Sequence, residues 1–428
     1  MQAGRGFAKR KIPLAILIGL LAAAVLFAAL SFWQRWFWFA EKVPALFVAM
    51  PGALDEGCAD CSDGSENPDK LEGRMRRLLE KDGQLLAWYR LAGKTGQPPD
   101  DISDAALGLD QILYGQILLE QNRRKDFAAW WTSFSAGWIT PDGFCKVSRG
   151  DFEPAVAQDD LRTQLALARL LAQSISVWPD PARYRQLADL SDALLSRFSG
   201  QAPTDSLAVV PTPEPVLDPG ATPTPKPTVS PEPKQDARRE LPVLRLASID
   251  LFALQALGQV DPAWLAVYET YLARVEGGLL GDSLPLYAWA WQPESGGYLP
   301  FGGSVAAIDT AETLRVVLHL CEVGHAPQRS LAWIRAQLFN QSALYASYHP
   351  GQGTPVDQQE CLEAYAMTAR IARITGDGLL YRAAADRLLW HQATSQTSPA
   401  LSAIFRQAED GAYYVWARDN LWALLALR

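Results

Sequence analysis

Histidine is nearly absent from this chain of 428 residues. There are four, His319, His325, His349 and His391, and no metal-ligand spacing links them. Metal catalysis is therefore not expected. No phosphate-cradling glycine loop and no Ser-His-Asp order occurs, so no cofactor is expected either. Cysteine is scarce too. Five residues are too few for a disulfide scaffold. The single Cys58-x-x-Cys61 pair has no second pair or nearby histidine to complete a zinc site. Basic excess is missing: the net charge is −8, which argues against a nucleic-acid partner. Hairpin-strand signals are also missing, so a β-rich architecture is not expected.

What is present is apolar, helical and rich in flat rings. Apolar residues make up 49 % of the chain, enough for a sizeable core. Tryptophan, at 15 residues, is a ring type that both lines sugar grooves and packs cores. Residues 1–11 carry Arg5, Lys9, Arg10 and Lys11 and no acid, and read as a basic cytoplasmic tail. Residues 12–33 are almost wholly apolar, long enough at ~1.5 Å per residue to cross a bilayer. Trp33, Trp36 and Trp38 suit the far interface. The positive flank places the rest of the chain outside the cytoplasm. The expectation is an uncleaved, single-pass membrane anchor, with a cleaved signal peptide as the rival. Residues 34–68 read as a juxtamembrane tether. Calcium binding by Asp55, Asp60, Asp63 and Glu66 competes there with a plain acidic spacer, which the irregular spacing favours.

From residue 69 to the end the apolar period is helical, as in Leu161, Leu165, Ala168, Leu171, Ala172 and Ile175. Twelve segments begin near Asp69, Ser103, Lys125, Gln158, Pro181, Val243, Pro262, Asp309, Pro327, Asp357, Leu379 and Tyr413. Asp180-Pro181 and Asp261-Pro262 place a capping acid before a first-turn proline. Asp309-x-x-Glu312 and Asp357-x-x-Glu360 share the spacing of a capping box. The Pro- and Thr-rich stretch 203–236 cannot build a core and reads as a disordered or polyproline-like insertion. Five segments precede it and seven follow. Both numbers are odd, so paired helices require it to lie inside one domain. Twelve helices in order give the expected fold: an all-α, (α/α)6 toroid of six helical hairpins behind one transmembrane helix.

Three short patterns supply candidate chemistry. Leu109-Asp110-Gln111-Ile112-Leu113-Tyr114-Gly115 places a lone acid among apolar residues, where burial is costly without a role. Gln158-Asp159-Asp160-Leu161 and Ala311-Glu312-Thr313-Leu314-Arg315 each place a carboxylate at a helix start. Helix dipoles favour acids there without any catalysis. Together with the closing Asn420-Leu421-Trp422-Ala423-Leu424, these patterns resemble glycoside hydrolase family 8, over about residues 78–427. That family carries Ser-Glu-Gly-Gln-x-Tyr-Gly, Asp-Ala-Asp-Leu and Tyr-Asp-Ala-x-Arg at the corresponding helix starts. The resemblance implies a divergent member with Asp110 as general acid, Glu312 as base and Asp160 assisting at the sugar. Tyr114 and Arg315 come with their motifs. Asp309 is the alternative base if the register differs by a turn. Both catalytic positions carry the other carboxylate from the usual one, which leaves activity itself in question.

The loop ahead of Asp309 adds Tyr287, Trp289 and Trp291, alternate rings that would share one side of an extended segment, as a groove wall or as a core plug. The function implied is a membrane-anchored, extracytoplasmic, endo-acting, inverting glycoside hydrolase on a β-linked polysaccharide. The alternative is an inactive glycan-binding or exopolysaccharide-assembly protein, which would have the exopolysaccharide synthesis machinery as its partner.

Overall fold

A computed structural model describes residues 25–26, 43–52, 67–91, 101–150, 160–199, 203–204, 206–211, 238–302, 306–408 and 411–428. The expected anchor thus lies almost wholly outside the described residues; Val25 and Leu26 are helical. Among the described residues no helix is long and apolar enough to cross a membrane. Cys58, Cys61 and the four tether acids also lie outside them.

Leu46–Arg428 form one compact unit. From Asn67 onward the described residues hold twelve α-helices in hairpin order. They are α1 (Asn67–Leu79), α2 (Gly108–Glu120), α3 (Arg124–Trp138), α4 (Asp160–Val177), α5 (Pro181–Ser199) and α6 (Leu251–Leu257). The rest are α7 (Ala263–Gly277), α8 (Thr310–Glu322), α9 (Gln328–Ala336), α10 (Leu362–Thr375), α11 (Gly378–Leu389) and α12 (Ala417–Leu427). The even helices pack side by side in sequence order, and α12 packs back on α2, closing a ring. The odd helices form the outer layer.

Burial separates the layers. In α4, Leu161, Leu165, Ala168, Leu171 and Ala172 are almost fully buried, and Gln164, Gln173 and Ser174 are buried with them. An inner helix touches protein on all sides, so its polar residues must find partners. Gln164 does so through Cys145, donating to its carbonyl and accepting from its amide, both at 2.8 Å. Outer helices bury one face only, as α9 does with Ser330 and Ile334. Gly115 lets two layers meet: a Cβ there would lie 2.3 Å from the Trp130 ring of α3.

Several helices start later than their apolar period suggests. The expected starts Ser103, Val243, Asp357 and Tyr413 are replaced by Gly108, Leu251, Leu362 and Ala417. Short strands occupy most of the difference: Ala106–Leu107, Arg238–Arg245 and Tyr413–Trp416. The expectation of no strands is therefore corrected. Most of these strands are too short for alternation to show and are fixed by their partners; Arg238–Arg245, at eight residues, pairs with Ser206–Pro211 and Ala290–Gln292. Asp357-x-x-Glu360 is not a capping box, because α10 begins beyond it. Asp357 accepts from Gln359 N at 2.9 Å, and Glu360 accepts from the Tyr365 hydroxyl and Arg387.

The Pro-rich stretch is also corrected at one edge. Ser206–Pro211 pairs antiparallel with Arg238–Val243, in a four-stranded sheet that continues through Ala290–Gln292 to Gly297–Leu299. Residues 212–237 lie outside the described residues. Part of the expected tether is docked rather than free. Residues 46–52 cross the C-terminal ends of the inner helices. Phe47 N donates to Gln259 Oε1 at 2.8 Å, Val48 N donates to Ser176 Oγ at 3.2 Å, and Gln173 donates to Ala49 O at 2.8 Å. Arg370 donates to Pro51 O at 3.0 Å. We refer to this as the closed end of the ring.

Candidate active site

The opposite end is built from inner-helix starts. Glu312 lies in the first turn of α8 and accepts from Arg162 of α4 at 2.7 Å. Arg245 stands 3.8 Å from its other oxygen. Arg315, one turn on, donates to Glu363 in the first turn of α10 at 3.1 Å, and lies 5.3 Å over the Trp422 ring. Arg418, opening α12, donates to Asp110 of α2 at 3.0 Å. Next to it, Asp419 lies 3.3 Å from Arg406. Four inner helices, α2, α8, α10 and α12, thus bring carboxylates to one end of the ring, with guanidinium groups between them.

Asp309 decides between capping and chemistry for Glu312. Its Oδ1 accepts from Glu312 N at 2.9 Å, so Asp309 is the N-cap of α8. The reciprocal half of a capping box is not made, because the Glu312 carboxylate turns to Arg162 instead. Asp309 is exposed to solvent, yet its pKa is pushed up to about 6. Surrounding protein is the largest cause, the neighbouring Glu312 charge the next. Asp419 is also raised to about 6, first by burial and then by Glu363, with Arg406 opposing. It is only 2 % exposed.

Other expected site residues lie elsewhere. Asp110 is 1 % exposed, behind Arg418. A donor role for it therefore depends on the Arg418 side chain giving way. Asp160 is half-buried, held by Arg197 of α5 at 2.9 Å and by Gln164 at 2.9 Å. Tyr114 points outward: its hydroxyl donates to Glu72 of α1 at 3.0 Å. It lines a separate pocket of about 500 Å³ with Arg76, Arg123 and Trp130. Its placement on the sugar groove is corrected, because its position on α2 faces the outer layer.

The aromatic loop divides. Tyr287 is a core residue, 3 % exposed, with its N–H donating to Thr313 at 2.7 Å. Trp291 packs under Arg274 of α7, 4.2 Å from ring to cation. Trp289 is half-buried against Gly302, where a Cβ would lie 2.5 Å from the ring. A shared groove wall is therefore corrected: the three rings follow different neighbours.

Arg162, Arg245, Glu363, Arg418 and Asp419 are site residues that motif reading passed over. A usable signal existed, since four of the five sit in the first turn of an inner helix. Arg245 precedes the short Leu246–Ser248 helical turn and had no local signal.

Deeper in the ring, Asp250, His319 and Glu322 bring one donor atom each within 4.8 Å of one another. Arg169 already binds both Glu322 oxygens, at 2.8 and 2.6 Å. A divalent cation there would have to displace a guanidinium, so the group fits an internal ion pair better than a metal.

Searched against protein-family models and against curated proteins, the sequence matches none. The structure does find relatives. It resembles a protein described as a novel alpha-amylase from Clostridium perfringens, at 19 % identity and a TM-score of 0.64, over 85 % of this chain and 98 % of that one. It also resembles PssZ from Listeria monocytogenes, at 14 % identity and a TM-score of 0.54, over 90 % and 97 %. Endoglucanase Cel10 of Klebsiella pneumoniae, a family 8 glycosyl hydrolase, is at 14 % identity and a TM-score of 0.48, over 84 % and 97 %. The chain has the six-hairpin toroid fold expected from its twelve helical segments.

Proposed function

We propose that this protein is a glycoside hydrolase acting at the open end of its helical ring. The observation that carries the reading is Asp309, a solvent-reached carboxyl whose pKa is raised to about 6, one turn from the ionic Glu312–Arg162 pair. Glycosidic cleavage needs one carboxyl that carries a proton and another that is ionised, and environments that separate them mark the roles. Asp309 is the proton donor in this reading. Oδ1 holds the helix cap, and Oδ2 makes no hydrogen bond with the described residues. Glu312, fixed by Arg162, is the ionised partner that activates water. Asp110 and Glu363 orient Arg418 and Arg315 around the sugar.

The likeness in fold to a protein described as an alpha-amylase supports a glycan substrate. The finer expectations are carried forward as part of the proposal: endo-acting cleavage with inversion, on a β-linked polysaccharide. So is a membrane anchor at residues 12–33 with the ring outside the cytoplasm, a placement read off protease accessibility in intact cells. The test is hydrolysis of a panel of β-glucans, xylans and α-glucans by wild type, Asp309→Asn and Glu312→Gln. The expected outcome is chain-shortening by wild type, with the first anomer read by NMR, and its loss in both variants with helical signal kept. Glycan binding without hydrolysis by wild type would overturn the reading in favour of a non-catalytic binding protein.

A further inference from the structure

The ring encloses a cavity of about 90 Å³ along its axis, well above the ~10–15 Å³ that one water needs. Its walls show an asymmetry. Arg162, Arg315 and Arg418 all line it, while their carboxylate partners Glu312, Glu363 and Asp110 do not. These three arginines are thus the charged residues of this part of an otherwise mostly apolar wall. Trp422 adds a flat apolar wall. Arg169, Asp250, His319 and Glu322 meet the same cavity in a paired cluster of their own.

Arg315 supplies an independent observation. It is only 8 % exposed, and its Nε makes no hydrogen bond among the described residues. An unmade bond from a buried cation is costly. Burial first, and then the Arg162 guanidinium, hold Arg315 below the usual arginine value, while Arg418 acts in the same direction. Three like charges converge there in a space large enough for a small guest. Guanidinium groups bind carboxylate, phosphate and sulfate through charge-assisted hydrogen bonds.

We propose that the axial cavity is an oxyanion site, in which a carboxylate, phosphate or sulfate group seats among Arg162, Arg315 and Arg418 beside Trp422. The group is either a free ion or a substituent of a glycan. The second source rests on the hydrolase reading; the site itself does not.

The test is thermal unfolding of the full chain titrated with inorganic phosphate or acetate, against chloride at matched ionic strength. Wild type is compared with Arg315→Gln and with the paired variant Arg315→Gln/Glu363→Gln, which removes both charges together. The expected result is a saturable rise in Tm for phosphate or acetate that chloride does not give, with affinity weakened about tenfold or more in the variants. Should Arg315→Gln fail to fold, the paired variant and the wild-type titration still decide. Binding of an oligoglucuronate that phosphate competes away, with a neutral oligosaccharide unaffected, assigns the anion to the glycan. Phosphate binding without such competition assigns it to a free ion. No saturable anion effect in wild type, or an equal effect in the variants, overturns the site without touching the hydrolase reading.

Discussion

The two ends of the ring use the same chemistry for different ends. At the closed end, Arg370 binds both oxygens of Glu120 at 2.9 and 3.0 Å, and also the carbonyls of Leu425 and Pro51. Arg169 binds both oxygens of Glu322, which is 1 % exposed. These donors are used up on the chain itself. At the open end Arg162 donates to Glu312, Arg315 to Glu363 and Arg418 to Asp110. Glu312 and Glu363 keep 20 % and 18 % exposure there. Pairs bonded through both oxygens fix the ring, while the partly exposed carboxylates of Glu312 and Glu363 stand where a ligand can reach them.

Substitutions at each end sharpen this contrast. Asp309→Asn has the largest expected effect, a loss of about 10²–10⁴ in kcat. Stability should scarcely change, because asparagine caps a helix as well as aspartate does. Glu312→Gln should cost activity in a similar range while leaving the fold intact. At the closed end the pattern reverses. Glu322→Gln leaves the buried Arg169 with only Asp250, at 3.5 Å, as a counter-charge and should cost about 3–5 kcal/mol in denaturant unfolding. Acid does the same to wild type. Although burial works against it, Arg169 holds the Glu322 carboxyl far below its usual value. The stability it contributes is present above the unfolded value, ~4.3, and is lost as pH falls through the folded one.

How much of this was legible beforehand follows from the same contrast. The ring was legible because an inner helix must repeat its apolar stripe, and twelve such repeats leave few folds open. The segment from Ile308 was legible too, as a capped helix start with Glu312 and Arg315 one turn apart. The strands were not, being two to four residues long in most cases and defined by partners far along the chain. The roles of the acids were not legible either. Asp110 and Tyr114 sit one turn apart in one motif, yet each is claimed by a different neighbour, Arg418 from the far end of the chain and Glu72 from α1. Sequence spacing does not show which side of a helix becomes the groove.

Two smaller effects refine the comparison. Asp419, raised to about 6, keeps a proton in the folded state that the unfolded chain releases near 3.9. Its contribution therefore weakens stability as pH rises between those values. Asp419→Asn should flatten that fall by about 2–3 kcal/mol in a stability–pH series, with Asp309 leaving a residual slope of the same sign. Smallest of all, Ser176→Ala removes one hydrogen bond to the strap at Val48 and should cost about 1 kcal/mol, with kcat unchanged.

The pH dependence of kcat for wild type and Asp309→Asn tests the central claim most directly. If Asp309 acts as the protonated donor, wild-type kcat is lost as pH rises through about 6, and that limb disappears in the variant together with most of the rate. A wild-type rate that instead falls as pH drops through about 6, or a variant that keeps the wild-type rate and profile, would contradict the account.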